Sequence, residues 1–399
     1  MPRDLLRNAP RLVRERGLDR TLIIDADVHH ISVIKFLGQF MDAPWRRLFE
    51  TLPVESLAPT DPADRRVAGR IKRPPIPSPD PTDPARAAHA LVADLARIGV
   101  DYSVIFADDL LTLSLHPDRR FQTAVARAYA RWLTECILPQ EPRIKAMLYL
   151  PMVDPDASLA LIHEFGDAAG VVGFQVNLVG LDQFYVDGCA RVYAAAEERG
   201  RAVGFHSTGH WPRFPMFETF LGAHAISFPA FNAMCLINWV WSGMCERFPR
   251  LRCIFFEAGA AWIAMLMARL DRVYRMRPED APCLRRLPSE YMAECFYTVQ
   301  PLEQPESAEQ LRLLFARIGS GQVLYASDYP HWDFDMPYSL SRLSFLSRAE
   351  REDVLALNAI RAFGLRREEL SLVEWKREAA ARAPRGACVD ENLITEGPA

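Results

Sequence analysis

The chain is expected to fold as a single (β/α)8 barrel with a long insertion after its first strand. Three observations predict this. Short aliphatic or β-branched runs recur along the sequence, Ala/Leu/Arg-rich stretches of helical period separate them, and several of the runs carry a polar residue at one end only. The length, 399 residues, would suit two or three ordinary domains, but an α/β barrel takes about 250 to 400 residues as one unit.

The strands are predicted at Leu22–Asp27, Tyr102–Ala107, Ile144–Leu150, Val172–Asn177, Ala202–Ser207, Arg252–Glu257, Cys295–Val299 and Gln322–Asp328. Helical periods fall between them, over Arg86–Ile98, Arg119–Leu138, Ala157–Ala169, Gly188–Glu198, Asn232–Phe248 and Ala261–Met276. Strands that alternate with helices specify a parallel sheet, and so many units in one chain close into a barrel more often than they form an open sheet. The expected division is an N-terminal extension over residues 1–20, the barrel over 21–366, and a tail over 367–399 that turns polar from Arg382. Residues 31–85 have no clean period and contain the run KRPPIPSPDPTDP, Lys72–Pro84. A segment of that length beside the first strand is read as a lid over the barrel mouth, with a solvated spacer as the alternative.

Composition narrows the function classes. Half the residues are hydrophobic, a quarter are charged, and the net charge is −4, as in ordinary globular proteins with a large core. Positive and negative residues are mixed, so no nucleic-acid partner is expected. No apolar run is long enough to span a bilayer, and the basic start, MPRDLLRNAPRLVRERGLDR, lacks the apolar segment of a secretory signal. A cytoplasmic enzyme acting on a small molecule is expected, and assembly into a homo-oligomer is left open. The eight cysteines have no CxxC pair, and Cys235, Cys245, Cys253 and Cys295 read as small core residues rather than a disulfide framework.

In a barrel, reacting groups come from the C-terminal ends of the strands. Strand 1 ends in IIDADVHH, with Asp27 and His29 on one face if the strand stays extended. Strand 5 supplies His206, strand 6 Glu257, and strand 8 Asp328, with His331 just beyond. A lone strand-end histidine is usually a hydrogen-bonded core residue. Several polar residues at the ends of separate apolar runs are harder to explain as structure, because burying unpaired carboxylates is costly. Imidazoles and carboxylates converging from several directions suit a divalent cation. His224, in the long loop expected after strand 5, is a further candidate ligand that could complete a second metal site, and His210 a candidate for the site. His331 is placed to contact substrate. His30 reads as supporting, and His89, His116 and His163 as structural. Trp211, Phe214, Phe217, Phe220, Trp332 and Phe334 suggest a partly apolar substrate, unless they serve the core. No dinucleotide or P-loop glycine pattern is present.

The DADVHH opening, the His206 strand, the segment SGMCERFPRLRCIFFEAGAAWIAMLMARLD and the run LYASDYPHWD together resemble the amidohydrolase superfamily. The likeness is to the amidohydrolase-2 branch, which also holds aminocarboxymuconate-semialdehyde and resorcylate-type decarboxylases, and it spans about Leu22 to Leu365. The resemblance implies a metal held by Asp27, His29, His206 and Asp328, with Asp328 also accepting a proton from the attacking water. Two departures stand out: the first ligand is Asp27 rather than His, and the strand-6 position is Glu257 rather than His. Glu257 is open to three readings: ligand of a second ion, general acid/base, or buried partner of an arginine. Three carboxylates leave a one-ion site net negative, which tips the expectation toward two ions of zinc, iron or manganese. The leading expected activity is hydrolysis of an amide, ester or thioester by metal-activated water, and the resemblance to an iron-using thioesterase type adds acyl-CoA-like substrates to that class. Non-oxidative decarboxylation comes second, and a catalytically dead binding barrel third.

Overall fold

In the computed structural model, the described residues are 2–29, 34–51, 80, 82–107, 110–177, 187–206, 220–305, 307–366 and 370. The strands are β1 (Ile24–His29), β2 (Tyr102–Phe106), β3 (Ile144–Leu150), β4 (Val171–Val176), β5 (Ala202–Phe205), β6 (Cys253–Phe255), β7 (Phe296–Thr298) and β8 (Val323–Leu324). They lie side by side in chain order, and every neighbouring pair is parallel. The seam between β8 and β1 is closed by backbone bonds beyond the formal strand: Ala26 N donates to Tyr325 O at 3.0 Å, His29 N to Tyr329 O at 2.8 Å, and Asp328 N to Asp27 O at 2.9 Å. Val28 and Tyr329 form a parallel bridge there. The (β/α)8 barrel expected from the alternating pattern is therefore the observed fold.

The helices used below are α1 (Pro2–Glu15), α2 (Pro84–Arg97), α3 (Arg119–Trp132), α4 (Pro155–Phe165), α5 (Asp187–Glu198), α6 (Phe220–Trp241), α7 (Ala261–Met276), α8 (Ala308–Ile318) and α9 (Asn358–Phe363). Their starts follow local chemistry. The side chains of Asp83, Asp118, Asp154 and Ser307 accept hydrogen bonds from first-turn amides of α2, α3, α4 and α8. Pro84 and Pro155 occupy first-turn positions, where a missing N–H costs nothing. One apolar cluster containing Ile24, Val104, Phe106, Met147 and Phe256 fills the barrel, and a larger one lies between barrel and helices. The interior is tight enough to demand glycine at position 204, where an added Cβ would lie 2.5 Å from Phe256 Cε2 and 2.8 Å from Met147 Cε.

Some boundaries move. Strands β6 to β8 are shorter than their apolar runs, and Glu257 and Asp328 follow β6 and β8 outside the regular ladder. The helix after β5 begins at Phe220 rather than Asn232, so His224 stands on α6 and not in a loop. All described cysteines are free thiols, with Cys235, Cys253 and Cys295 buried and Cys245 half-buried. No helix among the described residues is long and apolar enough to cross a membrane. Most of the Lys72–Pro84 run lies outside the described residues, as do His30, His210, Trp211, Phe214, Phe217 and the tail from Arg382.

Candidate metal centre

The strand ends bring five of the predicted residues together. Asp27, His29, His206, Glu257 and Asp328 are all buried, and His331 joins them from the turn after β8. His29 Nε2 lies 3.4 Å from Asp27 Oδ1 and 3.1 Å from Asp328 Oδ1. His206 Nε2 lies 3.5 Å from Asp27 Oδ2 and 3.5 Å from Glu257 Oε2. His331 Nδ1 meets Asp328 Oδ1 at 2.6 Å, and its ring stacks on that of His29 with centroids 4.3 Å apart. Phe106 and Phe256 pack against His206, at centroid distances of 5.3 and 6.0 Å.

Two overlapping sets of donor atoms are close enough to hold a cation: Asp27, His29 and His206, and His29, Glu257, Asp328 and His331. Both Asp27 carboxylate oxygens, Glu257 Oε2 and Asp328 Oδ2 are buried with no hydrogen-bond partner. Carboxylate oxygens left so would carry a large desolvation cost in a folded protein, and a divalent ion among them removes it. Nitrogen and carboxylate donors of this kind are those of a divalent metal site.

Backbone conformation singles out the same residues. Among the described residues, the only non-glycine residues with positive φ are Glu257, at 51°, and Asp328, at 60°. Left-handed backbone at a carboxylate residue stores strain, and such strain concentrates at functional sites. At β1 the pairing register shifts between Asp25 and Val28. Asp27 and His29 therefore meet across an irregularity rather than along an ideal strand.

Electrostatics follow from this crowding. Burial raises the Asp27 carboxyl, but His206 and His29 overcome that and hold it below the usual range. Burial and His331 press His29 down, and Asp27 and Asp328 more than reverse this, leaving it at about 9. Glu257 is pushed well above the carboxylate range by burial, then by Asp328. Burial also carries Asp25 up to about 8, against hydrogen bonds from Ser327.

The remaining candidates separate. His224 belongs to neither donor set. Its Nε2 lies 3.5 Å from Asp333 Oδ2, and its ring packs on Phe228 and Trp332 at centroid distances of 5.1 and 5.4 Å. Phe334 is buried against Tyr329, edge to face at 5.5 Å, and serves the core. Among the described residues no arginine forms an ion pair with Glu257; its ion-pair contact is His206. Gly259 takes φ 68° and leaves room for Glu303, whose carboxylate receives the N–H groups of Ala260 and Ala261 at the start of α7. Its place is thus explained by that helix cap.

Sequence reasoning missed Asp25 and Asp333. Asp333 is held at about 7 by burial and by Asp328. Both lie inside the runs already singled out, DADVHH and LYASDYPHWD, but each looked like a spacer between stronger candidates.

Strand-end carboxylates and imidazoles at the mouth of a closed parallel barrel define a metal-centred (β/α)8 enzyme. The chain belongs to the amidohydrolase family, whose model matches residues 24–365, and is an enzyme of that superfamily. Solved structures share the fold. A 2,6-dihydroxybenzoate decarboxylase from Rhizobium is 19% identical, with a TM-score of 0.60 over 86% of this chain and 99% of its own. A 5-carboxyvanillate decarboxylase from Novosphingobium aromaticivorans, solved with manganese, is 16% identical, with a TM-score of 0.66 over 88% of this chain and 97% of its own. An amidohydrolase from Mycobacterium avium subsp. paratuberculosis is 16% identical, with a TM-score of 0.64 over 87% of this chain and 98% of its own.

Proposed function

We propose that this protein is a metal-dependent, non-oxidative decarboxylase of a small, partly apolar carboxylic acid. The carrying observation is Glu257, a buried carboxyl group at the barrel mouth whose Oε2 lies 3.5 Å from His206 Nε2 and has no hydrogen-bond partner, in reach of the other donors. Decarboxylation without redox change breaks one C–C bond, releases CO2, and needs a proton at the carbon left behind. A neutral acid held at that point supplies it. The decarboxylases of the same fold, one with manganese, support the same reading.

Asp27, His29, His206 and Asp328 would hold the ion, which would anchor and orient the substrate carboxylate. Asp27 and Asp328 both face His29 Nε2, so one nitrogen serves both donor sets. That arrangement favours one ion rather than the two suggested by charge balance. Asp328 orients His331 through its 2.6 Å contact. If Nδ1 carries the proton, Nε2 is the nitrogen able to accept one from a phenol or hydroxyl of the substrate. Phe106 and Phe256, part of the barrel filling, pack against His206 and hold its ring in place.

Hydrolysis of an ester, amide or thioester is the second reading. It is favoured by the carboxyl group at position 257, where the resembling barrels place a histidine, since an ionised Glu257 would serve as a general base toward water. The two readings part on products. The manganese-loaded enzyme is offered hydroxylated benzoic acids and, separately, aryl esters and acyl thioesters. Release of CO2 from the first panel alone supports decarboxylation. Free acid appearing only from the second panel overturns it.

A further inference from the structure

We propose that Asp25 is a positioning residue for the metal centre: it clasps the two chain segments that carry Asp27 and Asp328 and sets their separation. The inference rests on the reading of those two aspartates as ligands. Asp25 is fully buried, yet it belongs to neither set of donor atoms. One of its oxygens, Oδ1, accepts the backbone N–H of Ser327 at 2.8 Å and that of Asp27 at 3.2 Å. A single atom therefore ties the first strand to a segment 302 residues away, immediately before one ligand and at the other.

The clasp sits where regular structure fails. The β1–β2 register shifts between Asp25 and Val28, and at that irregularity the Asp27 amide donates to the Asp25 side chain. A buried N–H must be paired somewhere, and irregularities of this kind re-aim the side chains beside them. On the other segment, Asp328 holds φ at 60°. Such a conformation in a non-glycine residue costs about 1–3 kcal/mol and persists only when its surroundings over-determine it. Three successive amides do so here. Ser327 N is held by Asp25, Asp328 N by Asp27 O at 2.9 Å, and Tyr329 N by Ser327 Oγ at 3.0 Å. The second is a bond between the two ligand residues themselves, and Asp25 brackets it from both sides.

An apolar or shorter side chain at position 25 would leave both amides unpaired and free the Asp328 turn to relax toward ordinary φ. Asparagine, in contrast, keeps a carbonyl oxygen at the same place and can accept both N–H groups. The metal is thus predicted to sense the acceptor, not the charge.

The experiment measures Mn²⁺ affinity by calorimetry and the visible d–d spectrum of the Co²⁺-loaded protein for wild type, Asp25→Asn, Asp25→Ala and Asp25→Ser. Loss of an outer partner of a metal ligand typically weakens binding by about 10- to 100-fold, and Asp25→Ala is expected in that range with an altered Co²⁺ spectrum. Asp25→Asn is expected to bind within about threefold of wild type with an unchanged spectrum, since its acceptor is retained. Asp25→Ser provides the same loss should the alanine variant fail to fold, and an asparagine variant weakened by about tenfold or more overturns the acceptor reading whether or not either of them folds. Wild-type affinity in a folded Ala or Ser variant overturns the clasp, as does an Asn variant as weak as Ala. A wild-type protein that binds neither Mn²⁺ nor Co²⁺ overturns the ligand reading itself and the clasp with it.

Discussion

Replacing Glu257 with Gln isolates the proton from the rest of the site. The side chain is 3% exposed, so glutamine fits the same space. Its backbone N–H stays with Thr298 Oγ1 at 3.0 Å, and the left-handed turn at this residue is retained. What is lost is an acidic O–H beside Oε2, the oxygen 3.5 Å from His206 Nε2 with no hydrogen bond of its own. A positioned acid contributes about 10²–10⁴ in rate, or roughly 2.7–5.4 kcal/mol at 1.36 kcal/mol per decade. Without metal, burial and then Asp328 favour the protonated form of the carboxyl, so a neutral amide is expected to leave the metal-free melting temperature essentially unchanged. Substrate turnover followed by CO2 release, with manganese titrated by calorimetry, gives both quantities. The expected result is kcat down by two orders or more with manganese still bound. Turnover within about threefold of wild type at full occupancy would refute the proton-donor role. Manganese lost in parallel with activity would make Glu257 a ligand instead.

Three further outcomes are expected. His206→Ala and Asp328→Ala should each lose most bound metal and turnover while keeping the circular-dichroism signature of a folded barrel; a fully loaded, active His206→Ala protein would remove that residue from the centre. Metal affinity should rise with pH, because His29 at about 9 carries a proton at neutrality that the ion must displace. Mn²⁺ titrations are expected to tighten by about tenfold from pH 7 to 8, with proton release measured in buffers of different ionisation enthalpy, and a flat profile contradicts this. Shortening the Lys72–Pro84 run should raise KM far more than it lowers the melting temperature if that segment covers the mouth, whereas unfolding with unchanged affinity in the residual fold marks it as structural.

Much of this molecule is written in local pattern. Apolar runs of strand length, separated by helical periods and helix-starting Asp, Ser and Pro residues, determine a parallel barrel whatever the distant contacts. Because the barrel places every strand's C-terminal end at one mouth, Asp27, His29, His206, Glu257 and Asp328 could be read as neighbours from their positions alone. Chain direction and side-chain alternation carry that information.

Only the tertiary structure decided how these residues are held. Asp25 looks like one more residue of an extended run until barrel closure sets it against Ser327, 302 positions away. His224 reads as a loop histidine open to a metal until α6 turns it toward Asp333. The left-handed backbone at Glu257 and Asp328 has no signature in residue type, since neither is a glycine. At Asp328 that strain is tolerated because the closed seam over-determines it. Sequence determines which groups reach the mouth, because that follows from each strand separately. Their mutual distances, protonation and partners depend on closing the first strand against the last, and no local pattern encodes that contact.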